Sequence, residues 1–228
     1  MLFYYSPYRG YDEFWKNEGK YWAKKRDKFI GPGPGVKAAV AELVQTSDTP
    51  EVKLRKLYAA TQRLENTDLT RSRSTSEDRA EGLGEVHTTD DILRRRRGGG
   101  DQIAAVFVAM ARAAGMKAYL MGVTNRERSI FFPPYLSTSQ LQDDIAIVNY
   151  DDKDHFFDPG TQFCAFGHLA WQHARTSGVR QVDGGSVIAQ TPSESYTAAS
   201  VQRIADLTMD EHGSVSYTHL TLPTKRIV

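Results

Sequence analysis

The segment that most restricts the fold is Gly98–Ala114, in which three glycines precede an apolar helical run (GGGDQIAAVFVAMARAA). The run has almost no polar face, because alanines separate its larger apolar side chains, Ile103, Val106, Phe107 and Met110. A helix that is apolar on all sides is stable only when other elements cover it. We therefore predict a central, buried helix over Gln102–Ala114, capped by Asp101 and closed by Gly115.

Shorter helices are predicted before the central one. The signals are aromatic residues at helical spacing, a Thr-Pro pair at a helix start and a Gly-Pro-rich stretch at 31–35. The polar residues Asn66–Glu85 predict a mobile loop. In order, the predicted helices cover Tyr11–Ile30, Val36–Val44, a stretch that starts at Pro50 with Thr49 as its N-cap, and a short segment from Thr88 or Thr89.

Strands are predicted mainly after the central helix. The segment Met116–Val123 is followed by two further short strands (DIAIVNY and DHFFDP) that the turn DDKD separates. The chain after Trp171 is expected to be rich in loops, until residues 201–214 predict a strand, a turn at Asp210–Gly213 and the start of another strand. The predicted fold class is α+β, with N-terminal helices and a central buried helix packed on a small antiparallel sheet.

Composition excludes several classes of protein. The chain has 228 residues, 40% of them hydrophobic, and a net charge of +1, so no overall charge favours nucleic acid or an anionic membrane. No apolar run is long enough to span a bilayer. The single cysteine, Cys164, excludes an internal disulfide framework. The basic cluster Arg94–Arg97 is interpreted as cations at a helix C-terminus with a solvated face, and not as a nucleic-acid site.

The stretch DILRRRRGGGDQ…FVAMARAAGMKAYLMGV, with the following strands that end in Asp-Pro, resembles the transglutaminase-like superfamily of papain-type folds. The resemblance covers about Asp48 to Trp171, and the whole architecture is similar to the bacterial, exported, multi-domain type. It implies a periplasmic or extracellular location, with flanking β domains in the full-length protein. It implies three parts of the chain. Residues 1–30 are a helix and linker from a preceding domain, residues 31–200 are the transglutaminase-like domain, and residues 201–214 are the start of a truncated β domain.

The C-terminal residues raise a separate question of origin. Residues Val215–Thr224 match one translated frame of a transposon-based sequencing adapter. We therefore interpret residues 215–228 as an adapter artefact and assign them no function.

The resemblance also implies a catalytic triad with two substituted positions. In that family the helix opens Gly-x-Gly-Asp-Cys, and the place of the cysteine is Gln102 here. The family histidine matches Asp144 in QDDIAIV, and the family aspartate matches Asp158 in FFDPG. A cysteine at a helix N-terminus is activated by the helix dipole and a neighbouring imidazole. An amide cannot attack an acyl carbon in its place, and a carboxylate is no base near neutrality unless its pKa is raised.

These substitutions predict a catalytically inactive module. Such a pseudoenzyme would bind a polypeptide or a cell-envelope ligand, or serve as a structural spacer whose cleft residues only hydrogen-bond one another. No cofactor and no metal are expected. Besides the triad positions, the candidate cleft-binding residues are Asp101, Asp143, Phe131, Phe132 and Tyr135. Packing of the three aromatic residues in the core is the alternative explanation for them.

An active enzyme remains the competing hypothesis. Cys164, with His168 or His173, could act as a displaced nucleophile and base in a cysteine-type hydrolase or acyl transferase. The same residues with Asp158 fit no common zinc-ligand pattern. Alternatively, Asp143, Asp144 and Asp158 could perform acid–base hydrolysis, because carboxylates that share a site have diverging pKa values. A buried, inert cysteine and solvated turn aspartates are the simpler interpretations.

Overall fold

A computed structural model describes residues 10–70, 74–82, 84–195 and 201–223. Within those ranges, helices lead into one antiparallel sheet. The helices are α1 (Tyr11–Ile30), α2 (Pro34–Leu43), α3 (Pro50–Thr61), α4 (Thr75–Ala80), α5 (Thr89–Arg95) and α6 (Gly100–Ala113), with a short 3₁₀ turn at Thr138–Gln140. The strands are β1 (Glu65–Asn66), β2 (Arg97–Gly98), β3 (Lys117–Val123), β4 (Asp143–Tyr150), β5 (Lys153–Phe157), β6 (Ser177–Val182), β7 (Gly185–Gln190), β8 (Val201–Met209) and β9 (Val215–Pro223).

The apolar run after the glycines forms the central helix α6, as predicted. Every residue from Ile103 to Ala111 is buried. One side of α6 packs on the inward-facing residues of β3 and β4, and its other sides are covered by α2, α3 and α5. The helix starts earlier than predicted, with Gly99 as N-cap, so the prediction that Asp101 caps it is wrong. The cap comes instead from a distant segment, because the Asp68 carboxylate accepts a hydrogen bond from the Gly100 N–H at 2.7 Å.

The main sheet has the strand order β5-β4-β3-β6-β7, and each neighbouring pair is antiparallel. The predictions of β3, β4 and β5 are confirmed, and the turn between β4 and β5 uses positive φ values at Asp151 and Asp152. Strands β6 and β7 lie where loops were expected. Their apolar alternation is weak, since the adjacent apolar residues Val187 and Ile188 are both partly exposed. The sequence Asp-Gly-Gly between them, with φ +79° at Gly184, was the available signal for a hairpin.

Helix α1 covers the sheet on the side of β6 and β7, and it also contacts α6. The side-chain amide of Gln181 in β6 donates a hydrogen bond to the Ala23 carbonyl of α1 at 3.0 Å. A compact unit extends to Pro192 and includes α1. The assignment of residues 1–30 to a preceding domain stays a prediction, and in the structure α1 packs on the helix–sheet unit.

The segment between α3 and α5 is more ordered than a loop, which corrects the prediction for Asn66–Glu85. β1 pairs in parallel with β2. Helix α4 has a capping box, in which Ser74 and Glu77 satisfy each other's backbone N–H groups, and the Ser-x-x-Glu spacing was its sequence signal. The loop prediction for 71–73 and 83 lies outside the described residues.

The arginine cluster is used within the fold. Arg94 pairs with Asp91, Arg95 lies 3.1 Å from Asp78, and Arg97 lies 3.8 Å from Glu65. The contact of Arg94 lies within α5, whereas those of Arg95 and Arg97 join α5 to α4 and β2 to β1. They favour the structural interpretation of the cluster over a nucleic-acid site.

A second compact unit starts at Ser193 and contains the antiparallel hairpin β8–β9. The strand–turn–strand prediction is confirmed, and Asp210 stabilises the turn by accepting hydrogen bonds from the backbone N–H groups of His212 and Ser214. The adapter origin of residues 215–228 stays a prediction. None of the helices in the described ranges is long and apolar enough to cross a membrane.

Candidate functional site

A cavity of about 470 Å³ opens at the amino end of α6. Its walls include the segment after β3, the start of β4 and the loop after β5. We call it the acidic cavity. It is lined by residues from 66–69, 100–101, 125–128, 143–144, 158–163 and 172–173.

His173 lies in the wall of this cavity and is only 4% exposed. Its Nδ1 is 2.6 Å from Oδ2 of Asp158, and its Nε2 is 3.0 Å from Oδ2 of Asp143. Asp158 also accepts a hydrogen bond from the Ala170 N–H, which holds the His173 loop against the end of β5. One imidazole ring thus connects two carboxylates that belong to different elements.

The two carboxylates keep His173 protonated. Burial alone would lower the pKa of His173, but the hydrogen bonds with Asp143 and Asp158 outweigh it and raise that pKa to about 9. The same hydrogen bond lowers the pKa of Asp143, and the Asn125 amide, 3.0 Å from Oδ2 of Asp143, lowers it further. At neutral pH the ring is therefore an imidazolium between two carboxylates.

A second charged cluster lies beside the first and consists of Asp101, Asp144 and Arg26. The Asp144 N–H donates to Oδ1 of Asp101 at 2.8 Å. Arg26 Nη2, from α1, lies 2.7 Å from Oδ2 of Asp144 and 3.5 Å from Oδ2 of Asp101. The contact between Arg26 and Asp144 is close, but its angles do not satisfy hydrogen-bond geometry.

Burial decides the protonation of this cluster. Asp144 is 4% exposed, and burial together with the charge of Asp101 raises its pKa to about 8, although Arg26 opposes the rise. Burial also raises the pKa of Asp101. Asp144 is therefore largely protonated at pH 7, while its neighbour in the chain, Asp143, is ionised.

Gln102 lies outside the cavity wall, although the resemblance placed the nucleophile there. Its Oε1 accepts a hydrogen bond from the Gly99 N–H at 3.1 Å, so the side chain folds back on the start of α6. Gly100 and Asp101 line the cavity at this end of the helix. Of the three positions that match the family triad, the structure brings Asp144 and Asp158 to the cavity and leaves Gln102 beside it.

This geometry predicts a structural role for Gln102. Gln102→Ala should lower the free energy of unfolding by about 1 kcal/mol, because one N–H at the start of α6 loses its acceptor. Gln102→Glu retains the acceptor and adds a charge that the helix N-terminus favours, so it should be as stable as the wild type. Urea unfolding followed by circular dichroism measures both variants. Equal stability of the Ala and Glu variants would contradict the assignment.

The candidate aromatic residues lie apart from the acidic cavity. Phe131 is buried against Trp15, with ring centroids 5.0 Å apart, so the core-packing explanation holds for this residue. Phe132 and Tyr135 are exposed and line a separate cavity of about 510 Å³, the apolar cavity.

Cys164 is also outside the acidic cavity. Its thiol donates to the His168 carbonyl oxygen at 3.4 Å, and its own carbonyl accepts a hydrogen bond from the Tyr58 hydroxyl at 2.8 Å. Across the described ranges, no three His, Cys, Asp or Glu side chains are grouped so that they could hold a metal ion.

Sequence reasoning missed two residues of the site. His173 was considered as a partner of Cys164 and, with Asp158, as a zinc ligand, but not as the partner of Asp143, and Arg26 was not considered. The sequence carries no spacing signal for either one, because His173 lies on an irregular loop and Arg26 reaches the site from α1 by tertiary packing alone.

Comparison with known proteins identifies the fold alone. No family model and no curated protein matches the chain. Among solved structures, it is similar to that of a "putative protease" from Parabacteroides distasonis, with a TM-score of 0.52 and 15% sequence identity. The similar region covers 77% of this chain and 31% of that one, so the chain spans about a third of that protein's length.

Proposed function

We propose that this chain is a catalytically inactive module with a transglutaminase-like, papain-type fold, and that its acidic cavity binds a polypeptide. The central helix packed on an antiparallel sheet and the likeness in fold to a protein described as a "putative protease" support the fold assignment. On this proposal the module is part of an exported, multi-domain bacterial protein, with the flanking β domains that the resemblance implies.

The state of His173 carries the proposal. A nucleophilic hydroxyl or thiol needs a base nitrogen within hydrogen-bond reach that can accept its proton. Both ring nitrogens of His173 face carboxylates, at 2.6 and 3.0 Å, and the ring is protonated at neutral pH. Of the cavity-lining residues that the structure describes, only Thr161 carries a hydroxyl and none carries a thiol. The site therefore favours binding over acyl transfer.

One observation favours a second candidate, a hydrolase that uses carboxylates. The pKa of Asp144 is raised to about 8 and that of Asp143 is lowered, which is the divergence that a general acid and a general base require. Against it, Asp143 is held by His173 and Asp144 is almost fully buried. This candidate requires that Asp144→Asn abolish turnover.

We expect no turnover from the purified chain with a pool of glutamine-containing peptides and a labelled amine. Amine incorporation and peptide cleavage are measured by mass spectrometry for the wild type, Cys164→Ala and Asp144→Asn. Fluorescence anisotropy on the same pool should show saturable binding, because the cavity is open and charged.

Each contrary result has its own meaning. Turnover that Cys164→Ala abolishes would replace the proposal with a thiol enzyme, and turnover that Asp144→Asn abolishes would replace it with the carboxylate hydrolase. Absence of both turnover and binding would overturn the binding role and favour a structural spacer.

A further inference from the structure

The loop after β3 displays three large apolar side chains to solvent. Ile130 is 86% exposed, Phe132 60% and Tyr135 59%. Single exposed apolar residues are common, but a cluster on one loop that lines its own cavity is typical of a binding surface. The three residues form one wall of the apolar cavity, together with Ser129, Pro134, Ser139, Gln140 and Gln142.

Buried contacts hold this loop in place. Trp15 Nε1 donates to the Pro133 carbonyl at 2.8 Å, and the Trp15 ring packs on the buried ring of Phe131. From the other side, the Gln140 side chain accepts from the Phe132 N–H at 2.8 Å and donates to the Tyr135 carbonyl at 2.7 Å. The exposed rings are thus presented by an anchored backbone, which reduces the entropy that a ligand must remove on binding.

The apolar cavity and the acidic cavity share a wall. Arg128 and Asp143 line the acidic cavity, and their chain neighbours Ser129 and Gln142 line the apolar one. Asn125 connects the two, because its N–H donates to Oε1 of Gln142 at 3.2 Å and its amide donates to Asp143 at 3.0 Å. A ligand that occupies one cavity therefore reaches the other across a single row of residues.

The excess of carboxylates in the acidic cavity favours a ligand with a cationic side chain. Six carboxyl side chains line it, against two basic ones, Arg128 and His173. If Asp144 is counted as neutral and Arg26 is added to the basic groups, carboxylates still exceed cations by five to three. The six carboxyl side chains are Asp68, Asp101, Glu127, Asp143, Asp144 and Asp158.

We propose that the two cavities together bind an extended polypeptide segment in which an aromatic or large aliphatic side chain lies close to a lysine or arginine. The apolar side chain enters the cavity beside Phe132 and Tyr135, and the cationic one enters the acidic cavity near Glu127 and Asp143. This inference rests on the proposed function, since it specifies the ligand of the same site. A neutral glycan could stack on the rings but would gain nothing from the carboxylates.

The test uses the full chain and labelled decapeptides of Ser and Gly that contain one Phe and two Lys residues. Matched peptides replace Phe with Ser or Lys with Glu, and a neutral oligosaccharide is the further probe. The protein variants are Phe132→Ser and Glu127→Lys, both at exposed side chains. Tyr21→Ser on α1 and Glu42→Lys on α2 make the same chemical changes at exposed positions that line neither cavity.

We expect each site variant to weaken binding of the Phe–Lys peptide by about tenfold, because an aromatic contact and a charge reversal beside a cation each contribute on that order. The control variants should bind as the wild type does, and the Glu-containing peptide should not bind. Rising salt should weaken binding in the wild type more than in Glu127→Lys.

The opposing outcomes separate the two proposals. Three results would overturn this inference: unchanged affinity in both site variants, no binding of the Phe–Lys peptide, or equal binding of the acidic peptide or the oligosaccharide. None of them would contradict the proposal that the chain is catalytically inactive. Cleavage of the peptide, read by mass spectrometry in the same mixtures, would instead overturn the proposed function.

Discussion

Replacing His173 with alanine is expected to lower the free energy of unfolding at pH 7 by about 4 kcal/mol, because it leaves two carboxylates facing each other without their cation. Asp158 is 1% exposed, so water cannot take over the role of the ring there. Urea unfolding measures the loss. His87→Ala, at an exposed histidine, is the control and should change stability by less than about 0.5 kcal/mol.

The same ring predicts how stability depends on pH. The folded pKa of His173 is about 9, above its value of about 6.5 in the unfolded chain, so its stabilisation is complete below pH 6.5 and is lost as the pH rises through 9. The difference corresponds to about 3 kcal/mol. Asp144 acts in the same direction, because its raised pKa makes the folded chain bind more protons, and its effect fades as the pH rises through 8.

Between pH 8 and pH 9, therefore, the wild type should lose more stability than His173→Ala does. Unfolding curves at half-unit steps across that interval measure the slope for both proteins. A wild-type slope no steeper than that of the variant would show that His173 is not held as an imidazolium.

Gly160→Ala is expected to destabilise the fold by about 3 kcal/mol, because overpacking against a backbone atom forces two segments apart. A Cβ at Gly160 would lie 2.4 Å from the carbonyl oxygen of Gly100, the first residue of α6. The loop after β5 and the start of α6 both line the acidic cavity and pack against each other here, so the variant should also bind the Phe–Lys peptide more weakly.

Gly185→Ala is the matched control, since a Cβ there would meet nothing within 4 Å. Thermal unfolding followed by circular dichroism compares both variants with the wild type, and peptide anisotropy reports on the cavity. Equal melting temperatures for the two variants would mean that the walls can separate without cost, contrary to the close packing described above.

Periodicity and capping signals predicted much of the fold. Helix α1 has the predicted bounds, α3 begins at Pro50 behind a Thr49 cap whose hydroxyl accepts from the Val52 N–H, and α6 is buried along its length. These elements were predictable because their signals are local. The hairpin β6–β7 was not, since its exposed apolar residues lack a clear alternation, and its stability comes from pairing with β3 and packing under α1.

The site was less predictable because the spacing of residues along the chain does not determine where their side chains point in the fold. Asp144 and Asp158 line the acidic cavity, but Gln102 turns back to Gly99 because the helix starts earlier than predicted. The residues that set the charge state, His173 and Arg26, come from elements far apart in the chain.

Arg26 has a consequence for where this protein can be cut or recombined. The residue belongs to α1 and yet supplies the positive charge beside Asp101 and Asp144. The cavity therefore depends on the first helix. A fragment that starts at residue 31 would remove the cation beside the buried Asp144 and the half-exposed Asp101, and it would expose the face of β6 and β7 that α1 covers. We therefore expect a fragment that retains the cavity to need α1 from Tyr11 onward.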